Sequence, residues 1–216
     1  MKKILRLTLL AGLCSFSYNG LKAQEWQTHF GVKAGVNMIN YQLSNVSSGI
    51  SRQTSSSVGF MLAGTFDASP SKYFGLQTGL QFQLLGANLK YSEFGSSSVL
   101  QHTGWAQIPI NLVGKLPLGE LNYFFLSGGV YGGLGLFGKN WVPNSYEGNV
   151  SHSFSFGNEG TQKRVDYGWD LSVGYQTPKN ISLSVSYLKG LADLAPDNAR
   201  YEQRNKVWQF AVGYRF

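Results

Sequence analysis

Large apolar side chains alternate with small or polar ones in eight separate stretches of this 216-residue chain. Successive side chains of a β-strand point to opposite faces of a sheet, so a period of two predicts strands. The clearest stretch places Leu80, Phe82 and Leu84 on one face and Gln81 and Gln83 on the other. The predicted strands lie near 28–39, 57–67, 73–85, 104–115, 122–138, 164–176, 181–190 and 207–216. Since the 27 glycines also disfavour helices, the chain is predicted to be all-β.

The connections between these strands alternate between short and long. Three short turns contain proline and polar turn formers, at 67–72, 116–121 and 177–180. The other four are long, at 40–56, 86–103, 139–163 and 191–206. In an antiparallel arrangement all short turns share one end, which is typical of outer-membrane barrels with periplasmic turns and extracellular loops. The pattern predicts an eight-stranded antiparallel up-and-down transmembrane β-barrel with periplasmic termini and four long surface loops.

The apolar rows are expected to face lipid. The polar rows are rich in glycine and small residues, which suit the narrow interior of an eight-stranded barrel. The apolar rows carry aromatic residues near strand ends, as interfacial girdles do: Phe74, Trp105, Trp169, Tyr175, Tyr187, Trp208, Tyr214 and Phe216. Glycines obscure the faces of the fifth strand, whose predicted outward row is Phe124, Leu126, Val130, Leu134 and Leu136. The alternative is a soluble periplasmic carrier of the lipocalin type, with the faces reversed.

Residues 1–23 are predicted to be a cleaved signal peptide and residues 24–216 the barrel domain. A basic start precedes an apolar run at 7–16 that is far shorter than the roughly 20 residues of a spanning helix. Ala23 suits the position before the cleavage site. The alternative, a lipid-modified Cys14, would normally need a smaller residue than Leu13 before it.

Cleavage changes what the composition implies. It removes Cys14, the single cysteine, which excludes disulfides, thiolate metal sites and cysteine nucleophiles from the mature chain. It leaves 14 basic and 11 acidic residues, a net charge of +3, with no run of Lys or Arg. We therefore expect no nucleic-acid partner and no cofactor.

The last predicted strand ends the printed sequence on an aromatic residue. Its large side chains alternate at Trp208, Phe210, Val212, Tyr214 and Phe216. The segment looks like the closing strand of a bacterial outer-membrane barrel. That resemblance implies that these five residues form the signal read by the assembly machinery during insertion.

Nearly all of the mature chain resembles the small outer-membrane β-barrel proteins of the Bacteroidetes type, often called PorT-like. The resemblance rests on segments that read KAQ, FGVKAGVN, FGLQTGL, IPINL, GWDLSVGY and VGYRF, at 22–24, 30–37, 74–80, 108–112, 168–175 and 212–216. It implies the barrel fold and the outer membrane, and it brings no catalytic residues. PorT is associated with type IX secretion, but these segments do not single out that member.

Five charged side chains point into the barrel by their position in the alternation: Lys33, Lys115, Asp166, Asp170 and Arg215. Two carboxylates four residues apart on a strand are about 13 Å apart, too far to share a proton. Because a buried charge must be paired, we expect a structural polar network that fills the lumen and leaves no general solute channel.

The remaining chemical motifs are weak. Gly133, Gly135 and Gly138 match a dinucleotide fingerprint, but they lie within a predicted strand without a following helix. A hydrolase set of Ser151, His152, Ser153 and Glu159 falls in a polar loop, where its geometry is not fixed. The histidines, His29, His102 and His152, are scattered and lack carboxylates at metal-ligand spacing. The Ser-rich stretches 47–57 and 96–98 suit exposed loops.

The sequence therefore predicts a non-enzymatic integral outer-membrane protein with a structural or partner-binding role. Its expected partners are the lipid bilayer, the assembly machinery and an envelope protein bound through the loops. An outer-membrane lipid-modifying enzyme is the alternative from another class. It would require Ser, His and an acid clustered at the lipid-facing rim.

Overall fold

Eight strands close into an antiparallel barrel in the computed structural model, which describes residues 26–44, 52–91, 97–119, 122–144, 148–152, 154–199 and 201–216. Neighbours in sequence pair in space, and the first and last strands close the ring. A ninth, short strand, β6, pairs with the end of β5 and is not part of the ring. The strands are β1 (Gln27–Ser44), β2 (Arg52–Ser69), β3 (Phe74–Tyr91), β4 (Ser97–Pro117), β5 (Tyr123–Asn144), β6 (Gly148–His152), β7 (Val165–Gln176), β8 (Ile181–Gly190) and β9 (Glu202–Arg215). The predicted eight-stranded fold is confirmed.

Over the described ranges, no helix is long and apolar enough to span a membrane.

The strands extend far into the predicted long connections. β1, β2 and β3 have 18 residues each, and β4 and β5 have 21 and 22. A strand that crosses a bilayer needs only about 9–11 residues. The predicted extent of the connections at 40–56 and 86–103 is therefore wrong, because paired strand occupies both sides of each. The extra pairing raises the wall of the barrel at this end.

The apolar rows face outward and the polar rows face inward, as predicted. Leu80 and Leu112 expose 60% and 72% of their surface. Their neighbours Gln81 and Asn111 are buried inside. The row predicted for β5 is also exposed. Since burying this much apolar surface requires a lipid or protein environment, the alternative of a soluble carrier with a polar exterior is wrong.

The start of β1 and the end of β9, which pair with each other to close the barrel, lie beside the short turns. The Phe216 amide donates to the Phe30 carbonyl at 2.8 Å, and the Arg215 amide donates to the Asn180 carbonyl at 3.0 Å. Asn180, in the turn between β7 and β8, has a φ of 62°, a left-handed conformation that asparagine tolerates better than most residues. The described start of β1 and the end of β9 therefore share the short-turn end.

Trp105 corrects the predicted aromatic girdle. Its side chain is fully buried inside the barrel, where its Nε1 donates to Thr103 Oγ1 at 2.9 Å. It has the same parity as Gln107 on β4, and that row faces inward. The register between β4 and β5 also shifts at Gly104 and Trp105. Trp105 is expected at the membrane interface because it is aromatic, but its position in the alternation places it inside the barrel.

Candidate functional site in the barrel lumen

An apolar cluster closes the lumen beneath the long connections. The wall contributes inward side chains that pack together in this half of the barrel: Ile39, Leu85, Trp105, Tyr131, Leu188 and Val207. The connection between β8 and β9 folds over them and adds Ala192 and Leu194, the latter 0% exposed. Phe156, from the connection between β6 and β7, packs edge-on against Trp105 with ring centroids 5.5 Å apart. We call this arrangement the cap.

The two connections that build the cap are tied to each other. The Lys163 amide donates to the Leu194 carbonyl at 2.9 Å, and the Asp197 amide donates to the Asn158 carbonyl at 2.9 Å. Lys163 Nζ also lies 2.9 Å from Asp197 Oδ1. Its hydrogen bond to this carboxylate raises the pKa of Lys163. The cap is therefore joined across the mouth and is more than a set of separate loops.

Glycines in β5 form the sockets for the cap. A Cβ on Gly135 would lie 2.5 Å from the ring of Phe156, and one on Gly138 would lie 2.3 Å from the ring of Phe154. Both belong to the segment that resembles a dinucleotide fingerprint. Here β5 continues as strand beyond them, and no helix N-terminus is formed to receive a phosphate. These glycines make room for aromatic side chains.

A belt of amide side chains crosses the lumen below the cap. Gln209 donates to Asn37 at 3.1 Å, Asn37 donates to Gln83 at 3.2 Å, and Gln83 donates to Gln107. These residues come from β9, β1, β3 and β4, so the belt ties non-adjacent walls together. Sequence reasoning placed these side chains inside but did not identify the belt, because alternation gives the face of a residue and not its partner.

Lys33 and Asp170 lie near the centre of the barrel. Lys33 Nζ donates to Gln77 Oε1 at 2.6 Å, and Gln77 Nε2 donates to Asp67 Oδ1 at 2.6 Å. Asp170 accepts from Asn111 at 2.8 Å. An amide therefore links the central lysine to a carboxylate that sequence reasoning assigned to a turn. The alternation could have placed Asp67 inside, because it follows the outward Phe66. The structure shows that β2 continues through it to Ser69.

The other three predicted lumen charges lie at opposite ends. Asp166 is fully buried beneath the cap, where it accepts from Asn205 at 2.7 Å and from Tyr131 at 3.3 Å. Lys115 and Arg215 lie at the short-turn end and flank the ring of Tyr123, at 5.2 and 5.8 Å from its centroid. Within the described ranges, no ion pair joins any two of the five predicted residues. They are distributed along the lumen and held mostly by neutral hydrogen-bonding partners.

The free space in the lumen suits water and not a solute. The central cavity, beside Lys33, Gln107 and Asp170, measures about 50 Å³, and a second one beside Asp67 and Tyr123 about 30 Å³. A few water molecules fill such volumes. At the short-turn mouth the space widens to about 910 Å³. The lumen is thus open to water at one end and closed by the cap at the other.

Among the described residues, the structure does not assemble the metal site or the hydrolase set that the sequence leaves as alternatives. In the part of the chain that the structure describes, no three His, Cys, Asp or Glu side chains are grouped to hold a metal ion. His29 points into the short-turn mouth, whereas His102 is exposed on the outer wall. The side chains of Ser151, His152 and Ser153 lie outside the described residues, as do most of the Ser-rich stretches.

Residues 22–195 match the family described as outer membrane protein beta-barrel domain. The chain belongs to this family. Its members are outer-membrane proteins, and this family member is accordingly an integral barrel of the outer membrane. No curated protein sequence matches it.

Three solved structures of outer-membrane proteins are similar to this chain. The outer membrane protein OprG from Pseudomonas aeruginosa is 14% identical, with a TM-score of 0.54 over 87% of this chain and 95% of OprG. The attachment invasion locus protein Ail of Yersinia pestis is 13% identical, with a TM-score of 0.44 over 88% of this chain and 99% of Ail. Neisserial surface protein A is 12% identical, with a TM-score of 0.43 over 87% of this chain and 97% of that protein. At this identity, the similarity to OprG supports the fold alone.

Proposed function

We propose that this family member is a non-enzymatic surface platform: a barrel that anchors a raised, capped end on which an envelope or extracellular partner binds. The observation that carries the proposal is the cap. Leu194 and Phe156 fill the mouth of the barrel, and the backbone bonds at Lys163 and Asp197 hold the two connections together. A closed and braced end suits recognition better than transport.

The proposed orientation places the capped end outside the cell and both termini in the periplasm. A cleaved signal peptide at 1–23 would deliver the chain to the periplasm. The aromatic pairs Phe124–Tyr175 and Tyr214–Phe216 lie near the short turns, where a second interfacial belt would be needed. In this proposal the alternating side chains of β9 form the assembly signal.

A finer assignment to the PorT-like proteins of Bacteroidetes is also a proposal. It is supported by the segments at 30–37 in β1 and 168–175 in β7. In both segments the glycines face inward and the aromatic residues face outward. Participation in type IX secretion has no separate support.

Solute uptake by reconstituted vesicles tests the platform against a pore. Vesicles that contain the wild-type protein should swell no faster in arabinose than protein-free vesicles, because the cap and the amide belt block the lumen. A porin from the same preparation supplies the positive control. Sustained arabinose uptake through the wild-type protein would contradict the proposal.

Site-specific photocrosslinking in living cells tests the partner surface. A photoreactive residue at the exposed cap positions Asn158 or Leu191 should give a discrete crosslinked species. The same probe at Lys72 or Lys179, in the short turns, should not give that species. Identical crosslinks from both ends, or none from the cap, would argue against a binding platform.

A further inference from the structure

Two lysines lie directly opposite each other on the outer wall near the capped rim. Lys189 of β8 and Lys206 of β9 are cross-strand partners in the register of the barrel. Both share the outward parity of their strands, and they form the next outward pair after Tyr187 and Trp208, two residues nearer the capped rim. Like charges in this position repel each other, so the pair costs stability unless something else neutralises it.

Described acidic side chains do not neutralise this pair. The ion pairs among the described residues are Lys163–Asp197 and Arg204–Glu202, and neither includes Lys189 or Lys206. The next outward base along β9, Arg204, is already engaged, with its guanidinium 2.9 Å from Glu202. Two adjacent positive charges therefore remain available on the wall.

An aromatic shelf lies against the two lysines. Tyr187 is the centre of the shelf, with ring centroids 5.6 Å from Trp169 and 4.9 Å from Trp208. Lys206 Nζ lies 6.0 Å from the centroid of the Tyr187 ring. Trp and Tyr concentrate where hydrocarbon meets headgroups, so the shelf marks the depth of that boundary. Both lysines lie nearer the capped rim than Tyr187 and Trp208, and Lys189 is level with Trp169 in the register.

We propose that Lys189 and Lys206 bind the phosphate of an anionic lipid, with the acyl chains against Trp169, Tyr187 and Trp208. Phosphate is the headgroup chemistry that two adjacent ammonium groups recognise, and its charge would relieve their repulsion. In the orientation proposed above, the lipid is the phosphorylated glycolipid of the outer leaflet. Only this choice of leaflet rests on the proposed function, since binding by purified protein does not depend on orientation.

Titration of purified protein with lipid A tests the site. Wild-type protein in dodecyl maltoside is mixed with bisphosphorylated lipid A, and the bound fraction is followed by native mass spectrometry. Lys189→Gln with Lys206→Gln should weaken binding about twenty-five-fold, as expected when two lysines near an anionic surface each contribute roughly fivefold. The double arginine variant should bind within about twofold of wild type, since both charges remain.

The matched control removes two lysines from the opposite end. Lys72→Gln with Lys179→Gln makes the same change in net charge and should leave the affinity unaltered. Dephosphorylated lipid A should bind the wild-type protein and the Lys189/Lys206 double variant equally. Equal affinity of both proteins for the phosphorylated lipid, or equal binding of both lipids by the wild type, would overturn the proposal.

A melting experiment separates a lipid site from a structural role. In lipid-free micelles, the single variant Lys206→Gln should melt no lower than the wild type, because it removes a like-charge contact. Bisphosphorylated lipid A should then raise the melting temperature of the wild type more than that of the variant. A variant that is destabilised without lipid and equally stabilised by it would show that the lysines serve the fold instead.

Discussion

At the scale of single residues, the lumen depends on neutral amides that satisfy buried charges. Gln77 is the clearest case, because it accepts from Lys33 and donates to Asp67, both at 2.6 Å. Lys33 and Asp67 lie on the neighbouring strands β1 and β2, offset by four residues along the register, and the amide connects them without a direct ion pair. The position requires a side chain that both donates and accepts.

We expect Gln77→Leu to destabilise the barrel by about 1–3 kcal/mol, the usual cost of leaving a buried polar partner unsatisfied. Urea unfolding in lipid vesicles, followed by tryptophan fluorescence, measures the free energy of unfolding. Leu76→Ala supplies the control, since this neighbour faces outward and leaves no polar atom without a partner. A larger loss for Leu76→Ala than for Gln77→Leu would show that the relay contributes little.

At the scale of elements, β5 has two roles: it is a strand of the barrel wall, and its glycines leave space for aromatic side chains of the cap. Its outward row contacts the surroundings, whereas Gly135 leaves the space that Phe156 fills. By contrast, a Cβ on Gly132 would meet no atom within 4 Å. The two glycines therefore form a matched pair for testing whether β5 holds the cap.

We expect Gly135→Ala to displace Phe156 and to cost about 1–3 kcal/mol through overpacking, whereas Gly132→Ala should change stability little. The same unfolding assay measures both, and limited proteolysis of the connection between β6 and β7 reports loosening of the cap. Gly135→Ala should cost less in a protein that already carries Phe156→Ala, because the ring that clashes is gone. Additive losses in this double-mutant cycle would rule out the socket.

The end of β9 carries a prediction about assembly. Phe216→Asp should lower the amount of inserted barrel well below that of Leu191→Asp, because only the former alters the proposed assembly signal. Both side chains are exposed, so the comparison holds burial similar. Heat-modifiable migration of the outer-membrane fraction on gels quantifies insertion. Equal insertion of the two variants would exclude a special role for the terminal aromatic.

The elements also show what alternation predicts and where it stops. The period of two placed Leu80 and Gln81 on opposite faces and found the eight strands, since that pattern follows from strand geometry alone. It did not predict that Leu194 packs into the same cluster as Trp105, because Leu194 comes from a connection that has no repeating pattern. It also set strand ends too early, because inward residues such as Ile39 and Leu85 belong to the cap and break the polar inner row.

At the scale of the whole molecule, the barrel has two environments for tryptophan, on β9 and on β4, four strands apart around the ring. Trp208 is outward, beside the aromatic shelf, and Trp105 is inside the cap and fully buried. A barrel with its faces reversed would exchange these environments. The membrane placement of the entire structure can therefore be measured with its own fluorophores.

Single-tryptophan proteins that keep either Trp208 or Trp105, with the other tryptophans replaced by phenylalanine, should respond oppositely to brominated lipids. In vesicles brominated near the acyl-chain carbons closest to the headgroups, Trp208 should lose most of its fluorescence, since bromine quenches on contact. Trp105 should keep its fluorescence, because the barrel wall and Phe156 separate its ring from lipid. Acrylamide, a water-soluble quencher, tests whether the cap separates Trp105 from water. It should quench Trp105 weakly as long as the cap stays closed. Quenching of Trp105 by lipid would mean that the faces are assigned wrongly. Strong quenching by acrylamide alone would mean that the barrel is placed correctly and that its mouth opens to water.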